Sequence, residues 1–193
     1  AMTAQSVPNI FDYRNVDRAD EYEDIPVLDM GPYLADEPGA AEELAANIQF
    51  IQETIGFYVV INHGIPRNVI ANAYEALGDF FALSADEKLA LKFDETSVGF
   101  IPPKSTVYVT SKINKNTKQD LNETLVLALE RDADHPYIKD GVRFTGPNKW
   151  PNQLPKFRAP MVRYQNACAD LGRKIVPLYA LALDKPRDFF DAH

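Results

Sequence analysis

Cysteine is almost missing from this chain. Cys168 stands alone among 193 residues, so no internal disulfide can form and nothing argues for an oxidising compartment. Basic runs are missing as well. No five consecutive Lys or Arg residues occur, and a formal charge of −8 with a pI near 4.9 opposes binding to nucleic acid or to an anionic membrane surface. The longest apolar stretch, Ile175 to Leu183, is interrupted by Pro177 and falls well short of the roughly 20 residues that a membrane span needs. Ala1-Met2-Thr3-Ala4-Gln5 has neither the basic nor the apolar region of a signal peptide. The expectation is a soluble, cytoplasmic protein that engages neither nucleic acid nor membrane.

What is present suits a globular fold. A hydrophobic share of 46% with 25% charged residues supports a real core. Residues 1–24 are polar and aperiodic and read as a flexible N-terminal arm, leaving 25–193 as the folded region. Ile25 to Met30 reads as a short strand with an edge-type proline. A helix is expected from Ala40 to Ile55, because Leu44, Ile48, Ile51 and Ile55 recur at helical spacing and Gly56 stops it. Phe57-Tyr58-Val59-Val60-Ile61 then runs apolar without a break, which predicts a strand buried on both faces, and Asn62-His63-Gly64 turns it. After Pro66 comes a second amphipathic helix carrying Val69, Ala73, Leu77 and Phe80. Ser84-Ala85-Asp86-Glu87 is a capping box ahead of a short helix expected over Lys88 to Lys92.

Val98 to Pro103 must be extended, Thr106 to Thr110 is β-rich, and Ser111 to Gln119 reads as a solvated lysine-containing loop. Glu123 to Leu129 predicts another buried strand, and the proline-rich stretch Asp132 to Pro155 predicts loop. Phe157, Met161, Tyr164, Cys168, Leu171, Ile175, Leu178 and Ala182 form one apolar stripe, the mark of a long helix that Pro177 should kink or deprive of a hydrogen bond. Arg187 to Ala192 reads as a further turn or helix start.

No single motif is diagnostic, but their order and spacing are. Gly56 to Gly64, Phe80-Phe81-Ala82-Leu83 with Glu87-Lys88, and Gly99-Phe100-Ile101-Pro102 come first. Asn122-Glu123, Asn148-Lys149-Trp150-Pro151, Leu154 to Arg158 and Asp188-Phe189-Phe190 follow. Across about residues 25–191 this series resembles the N-terminal region of the isopenicillin N synthase-like, non-haem Fe(II) and 2-oxoglutarate-dependent oxygenases. Two departures stand out: Lys156 replaces a usual glycine, and Thr124, Leu125 and Val126 stand where plant members often have aromatics.

The resemblance implies an α+β fold, with a helical N-terminal layer and the first strands of a double-stranded β-helix (jelly roll) whose main part lies outside this chain. It implies Fe(II) and 2-oxoglutarate as cofactors and a small organic molecule as substrate. It also implies a 2-His-1-carboxylate triad, two of whose ligands come as His-x-Asp on one strand face. None of the three histidines fits that pattern: His63 precedes Ile65, His135 precedes Tyr137, and His193 is last. The Arg-x-Ser that would clamp 2-oxoglutarate is also missing. No metal ligand, cofactor-binding residue or catalytic residue is therefore expected here, and neither Fe(II) nor 2-oxoglutarate should bind this chain alone.

By the family's habit, the pocket-facing positions are Ile101, Thr124 and Val126, the last two sharing a face by the two-residue strand period. The competing reading is a non-catalytic binding module, a short or degenerate relative, for which self-association through exposed strand edges is expected.

Overall fold

A computed structural model describes residues 25–105 and 118–191. The predicted arm, the β-rich stretch Thr106 to Thr110, most of the lysine loop and His193 lie outside the described residues. The chain divides into two compact units, one formed by the residues up to Ile65 together with those from Ala167 onward, the other by Pro66–Asn166.

The first unit holds β1 (Val27–Asp29), the one-turn α1 (Gly31–Leu34), α2 (Ala40–Thr54) and β2 (Val59–Ile61). It also holds the later part of α6 (Arg158–Ala182), from Ala167. β1 and β2 are parallel, with Val27 opposite Val59 and Asp29 opposite Ile61. Leu44, Ile48 and Ile51 of α2 bury the predicted stripe against Leu28, Met30, Leu178 and Ala182. Gly56 ends α2 in a left-handed conformation at φ +91°, where a side chain would be strained. Beyond β2, Asn62 Nδ2 and the Gly31 amide both donate to Asp29 Oδ1, at 2.9 and 2.8 Å, so the turn after β2 is tied to the end of β1.

The predicted double-faced burial of 57–61 is not what the chain adopts. Phe57 and Val59 are 56% and 48% exposed, while Tyr58 and Val60 pack on the aliphatic core. The segment is therefore one-faced, because β1 is its only strand neighbour among the described residues and the core covers a single side. Pro177 sits inside α6 without ending it. Having no N–H, it leaves the last stretch of that helix one hydrogen bond short. Nearby, the Tyr33 hydroxyl donates to the Lys174 carbonyl at 2.8 Å.

The second unit holds α3 (Arg67–Phe81), α4 (Ala85–Leu89), β3 (Gly99–Ile101), β4 (Thr124–Val126), the one-turn α5 (Pro136–Lys139) and the start of α6. Val69, Ala73 and Phe80 of α3 are buried as expected, and Leu77 packs at the edge of the same core. The core itself is aromatic: Phe80, Phe100 and Phe157 meet with ring centroids 5.5–6.0 Å apart. The capping box is formed in full, yet it starts α4 at Ala85 rather than at Lys88, because the Ser84 cap makes the next residue the first of the helix.

Glu123 to Leu129 is only half-buried and its paired part shrinks to three residues, so the prediction of a fully buried strand is corrected for the same reason as in β2. The predicted loop 132–155 contains α5, capped by His135, whose Nδ1 accepts from the Tyr137 amide at 3.2 Å. Arg187 to Asp191 are turns.

The observed architecture is thus mixed helix and strand, with four short strands in two two-stranded sheets and no closed barrel among the described residues. No helix among them is long and apolar enough to cross a membrane.

Candidate substrate-facing wall

Gly99 decides how β3 is placed. Its φ is +118°, and a Cβ there would lie 2.5 Å from the Leu91 carbonyl oxygen and 2.9 Å from the Lys92 carbonyl. Only glycine permits this approach. It lets the Phe100 amide donate to Leu91 O at 2.7 Å, while the Phe93 amide donates back to Phe100 O at 2.9 Å. β3 is thereby held by the 91–93 segment on one edge and by β4 on the other.

The antiparallel register puts Ile101 opposite Thr124, Phe100 opposite Leu125 and Gly99 opposite Val126. Directly opposed residues project to the same side of a sheet, and neighbours along a strand alternate. Phe100 and Leu125 point into the aromatic core. Ile101, Thr124 and Val126 therefore share the other face, where Thr124 is exposed and the two aliphatic residues are half-buried. All three sequence-predicted site residues are brought together on one side of one ladder.

The start of β4 is fixed by a residue that the sequence marks only as part of a motif. Lys88 is 9% exposed, and its Nζ donates to Glu123 Oε2 at 2.8 Å and to the Phe81 carbonyl at 3.1 Å, while lying 5.6 Å from the Phe100 ring centre. A buried ammonium needs such partners to offset its desolvation. The chain just beyond β4 is held by Asn148, which accepts from the Ala128 amide at 2.7 Å and donates to its carbonyl at 2.8 Å, as a strand neighbour would. Gln165 of α6 adds a third bond to that residue, donating to the same carbonyl at 3.0 Å. Arg158, also on α6, pairs with Glu130 at 2.6 Å.

Further along, Lys149 pairs with Asp94 at 2.6 Å, and Thr96 donates to the same carboxylate. These contacts, Lys149 first, hold the Asp94 carboxyl at about 2. In the first unit, burial together with the Tyr179 hydroxyl, 3.1 Å away, pushes the Tyr58 phenol above its usual range.

The metal that the sequence resemblance implies finds no fitting ligand set among the described residues. His63 Nδ1 accepts from the Ile65 amide at 3.1 Å and His135 Nδ1 caps α5, so each ring is engaged within its own turn. No three His, Cys, Asp or Glu side chains converge among the described residues. No step through iron is assigned to them.

Comparison with known proteins bears on the family and the fold. A family model described as "non-haem dioxygenase in morphine synthesis N-terminal" matches residues 25–153. The 2-oxoglutarate-Fe(II) type oxidoreductase hxnY of Emericella nidulans is 30% identical over 169 residues, which cover 86% of this chain and 48% of that protein. Kihadalactone A synthase LFS of Citrus sinensis is 33% identical over 170 residues, covering 87% of this chain and 49% of that one. Among solved structures, a 2OG-Fe(II) oxygenase family protein from Caulobacter crescentus superposes with a TM-score of 0.68 at 21% identity, covering 86% of this chain and 51% of that one. JOX2 in complex with 2OG, Fe and JA gives a TM-score of 0.63 at 22% identity, covering 87% of this chain and 43% of JOX2. The chain spans about half the length of the curated relatives it matches.

Proposed function

Because the chain belongs, as an N-terminal region, to the non-haem Fe(II)/2-oxoglutarate oxygenase family, we propose that residues 25–193 serve as the N-terminal region of an enzyme oxidising a small organic substrate. In such an enzyme, iron and 2-oxoglutarate together supply the oxidising chemistry. The contribution of this chain is a pocket wall made of Ile101, Thr124 and Val126. The observation that carries this reading is their common face on β3 and β4, turned away from Phe100 and Leu125.

Two aliphatic side chains and one hydroxyl suit a substrate that is largely apolar with a polar group near Thr124. Gly99 and the Lys88–Glu123 pair hold that face in place without touching the substrate. The alternative of a non-catalytic module draws no support from the two relatives named above, whose names describe an oxidoreductase and a synthase.

The test is kinetic, on the full-length protein. Val126→Phe fills the proposed wall, so KM for the substrate should rise roughly tenfold or the substrate preference should change, while KM for 2-oxoglutarate stays put. Unchanged substrate kinetics in Val126→Phe and in Thr124→Val would remove the wall from the pocket. Anaerobic Fe(II) and 2-oxoglutarate should give a weak visible charge-transfer band with the full-length protein and none with the 193-residue chain alone.

A further inference from the structure

The second unit contains a cleft that has no part in the β3–β4 face. It has a volume of about 570 Å³ and lies between α3 and the segment that leads into α6. That size suits a small ligand. Glu75 and Asp79 stand four residues apart on α3, hence side by side on one wall. Lys156 and Arg163 stand on the other wall, and Ala76 and Phe157, both buried, form an apolar floor. No ion pair joins the two walls among the described residues, and two carboxylates and two cations line the one cleft. Lys156 is also the residue that departs from the glycine usual in the family's pattern, and the departure delivers a cation to this place.

From this arrangement we infer that the cleft binds a small zwitterion with an apolar side chain, an amino-acid-like ligand, at a site separate from the oxidation pocket. The ammonium goes to Glu75 and Asp79, the carboxylate to Lys156 and Arg163, and the apolar group onto Phe157 and Ala76. A ligand of this kind satisfies both walls at once, whereas a simple anion or cation leaves one wall's charges unmatched. All four charged residues are exposed, so each contact is screened by water and the affinity is modest.

Binding in this cleft is independent of the proposed oxygenase role, so it is tested by titration rather than by turnover. Calorimetric titration of the full-length protein at low ionic strength would use L-phenylalanine as probe, with phenethylamine and 3-phenylpropionate as single-charge controls. L-Phenylalanine should bind saturably at one site, and each control roughly three- to fivefold more weakly. The E75Q/D79N variant should weaken L-phenylalanine and phenethylamine but leave 3-phenylpropionate unchanged, and K156M/R163M should weaken L-phenylalanine and 3-phenylpropionate but leave phenethylamine unchanged. V126F should leave all three titrations unaltered. Absence of saturable binding overturns the inference, as does binding that depends on only one wall or on neither. E75Q and D79N are isosteric, and the four charge-removing substitutions all lie at exposed positions; circular dichroism of each variant, V126F included, confirms that the comparison is between folded proteins.

Discussion

In the unit made of residues 25–65 and 167–191, the buried side chains are aliphatic: Leu28, Met30, Leu44, Ile48, Ile51 and Leu178. They come from α2, α6, β1 and the residue that follows β1, and any of them is replaceable by a residue of similar volume at modest cost. The unit made of residues 66–166 is built differently. Its core is a set of aromatic rings, its β3 strand passes within contact of a neighbouring carbonyl that only glycine tolerates, and it buries a lysine. Repetitive packing gives the first unit a scaffold's tolerance. The second depends on a few non-exchangeable residues, and it also carries every candidate site residue. Demanding local geometry and candidate site residues coincide in this unit.

Glycine replacement gives the largest contrast between the two. Gly99→Ala forces a Cβ to 2.5 Å from Leu91 O at a φ of +118°, and should cost about 3 kcal/mol or more in urea denaturation. Gly172→Ala, on the first unit's part of α6, meets nothing within 4 Å and should stabilise by about 0.5–1 kcal/mol. Equal effects at the two positions would break the comparison.

The buried charge comes next. Lys88→Met strips Glu123 of its partner and leaves the Phe81 carbonyl without its side-chain donor. A fully buried pair broken this way costs about 3–5 kcal/mol, but Glu123 keeps 33% of its side-chain exposure, so about 2 kcal/mol is expected. A Lys88→Met/Glu123→Leu double variant should recover part of that loss in a double-mutant cycle. Full additivity would mean that the pair does not hold β4.

The smallest effect is in acid. The Asp94 carboxyl is held at about 2, below its usual 3.8, chiefly by Lys149 and then by Thr96. A depressed carboxylate stabilises the folded state above its unfolded value and ceases to do so as pH falls from about 3.8 through about 2. In Lys149→Met the Asp94 carboxyl should titrate closer to its usual value by carbon-detected NMR, and the acid midpoint of the protein should move slightly upward. The Asp94 side chain keeps 35% of its exposure, so water screens the pair and the shift in midpoint should be slight.

Much of the fold was legible residue by residue. The stripes Leu44–Ile48–Ile51 and Phe157–Met161 specify helices through their spacing alone, and Gly56 and Ser84 punctuate them by backbone and hydrogen-bonding chemistry that acts within a few residues. The common face of Thr124 and Val126 follows from strand parity. α5 was missed although its signal was present, a proline in the first helical turn behind a histidine able to cap it. The burial of 57–61 was misjudged because an apolar run states an affinity for cover, not whether cover is supplied on both sides. Phe57 and Val59 lie uncovered, yet the match to the family rests on residues 25–153 as a whole and does not require that segment to be enclosed.

By itself, then, the amino-acid order determined the three long helices, the stop of α2 at Gly56, the alternation along β4 and the absence of a His-x-Asp pair, since each depends on neighbours a few positions apart. Tertiary structure alone decided that Ile101 joins Thr124 and Val126, that Lys88 reaches Glu123 35 residues away, and that Glu75 and Asp79 share a cleft with Lys156 and Arg163. Those outcomes rest on contacts between distant segments, whose energies are set by burial and by the partner met there and are not encoded in any local pattern.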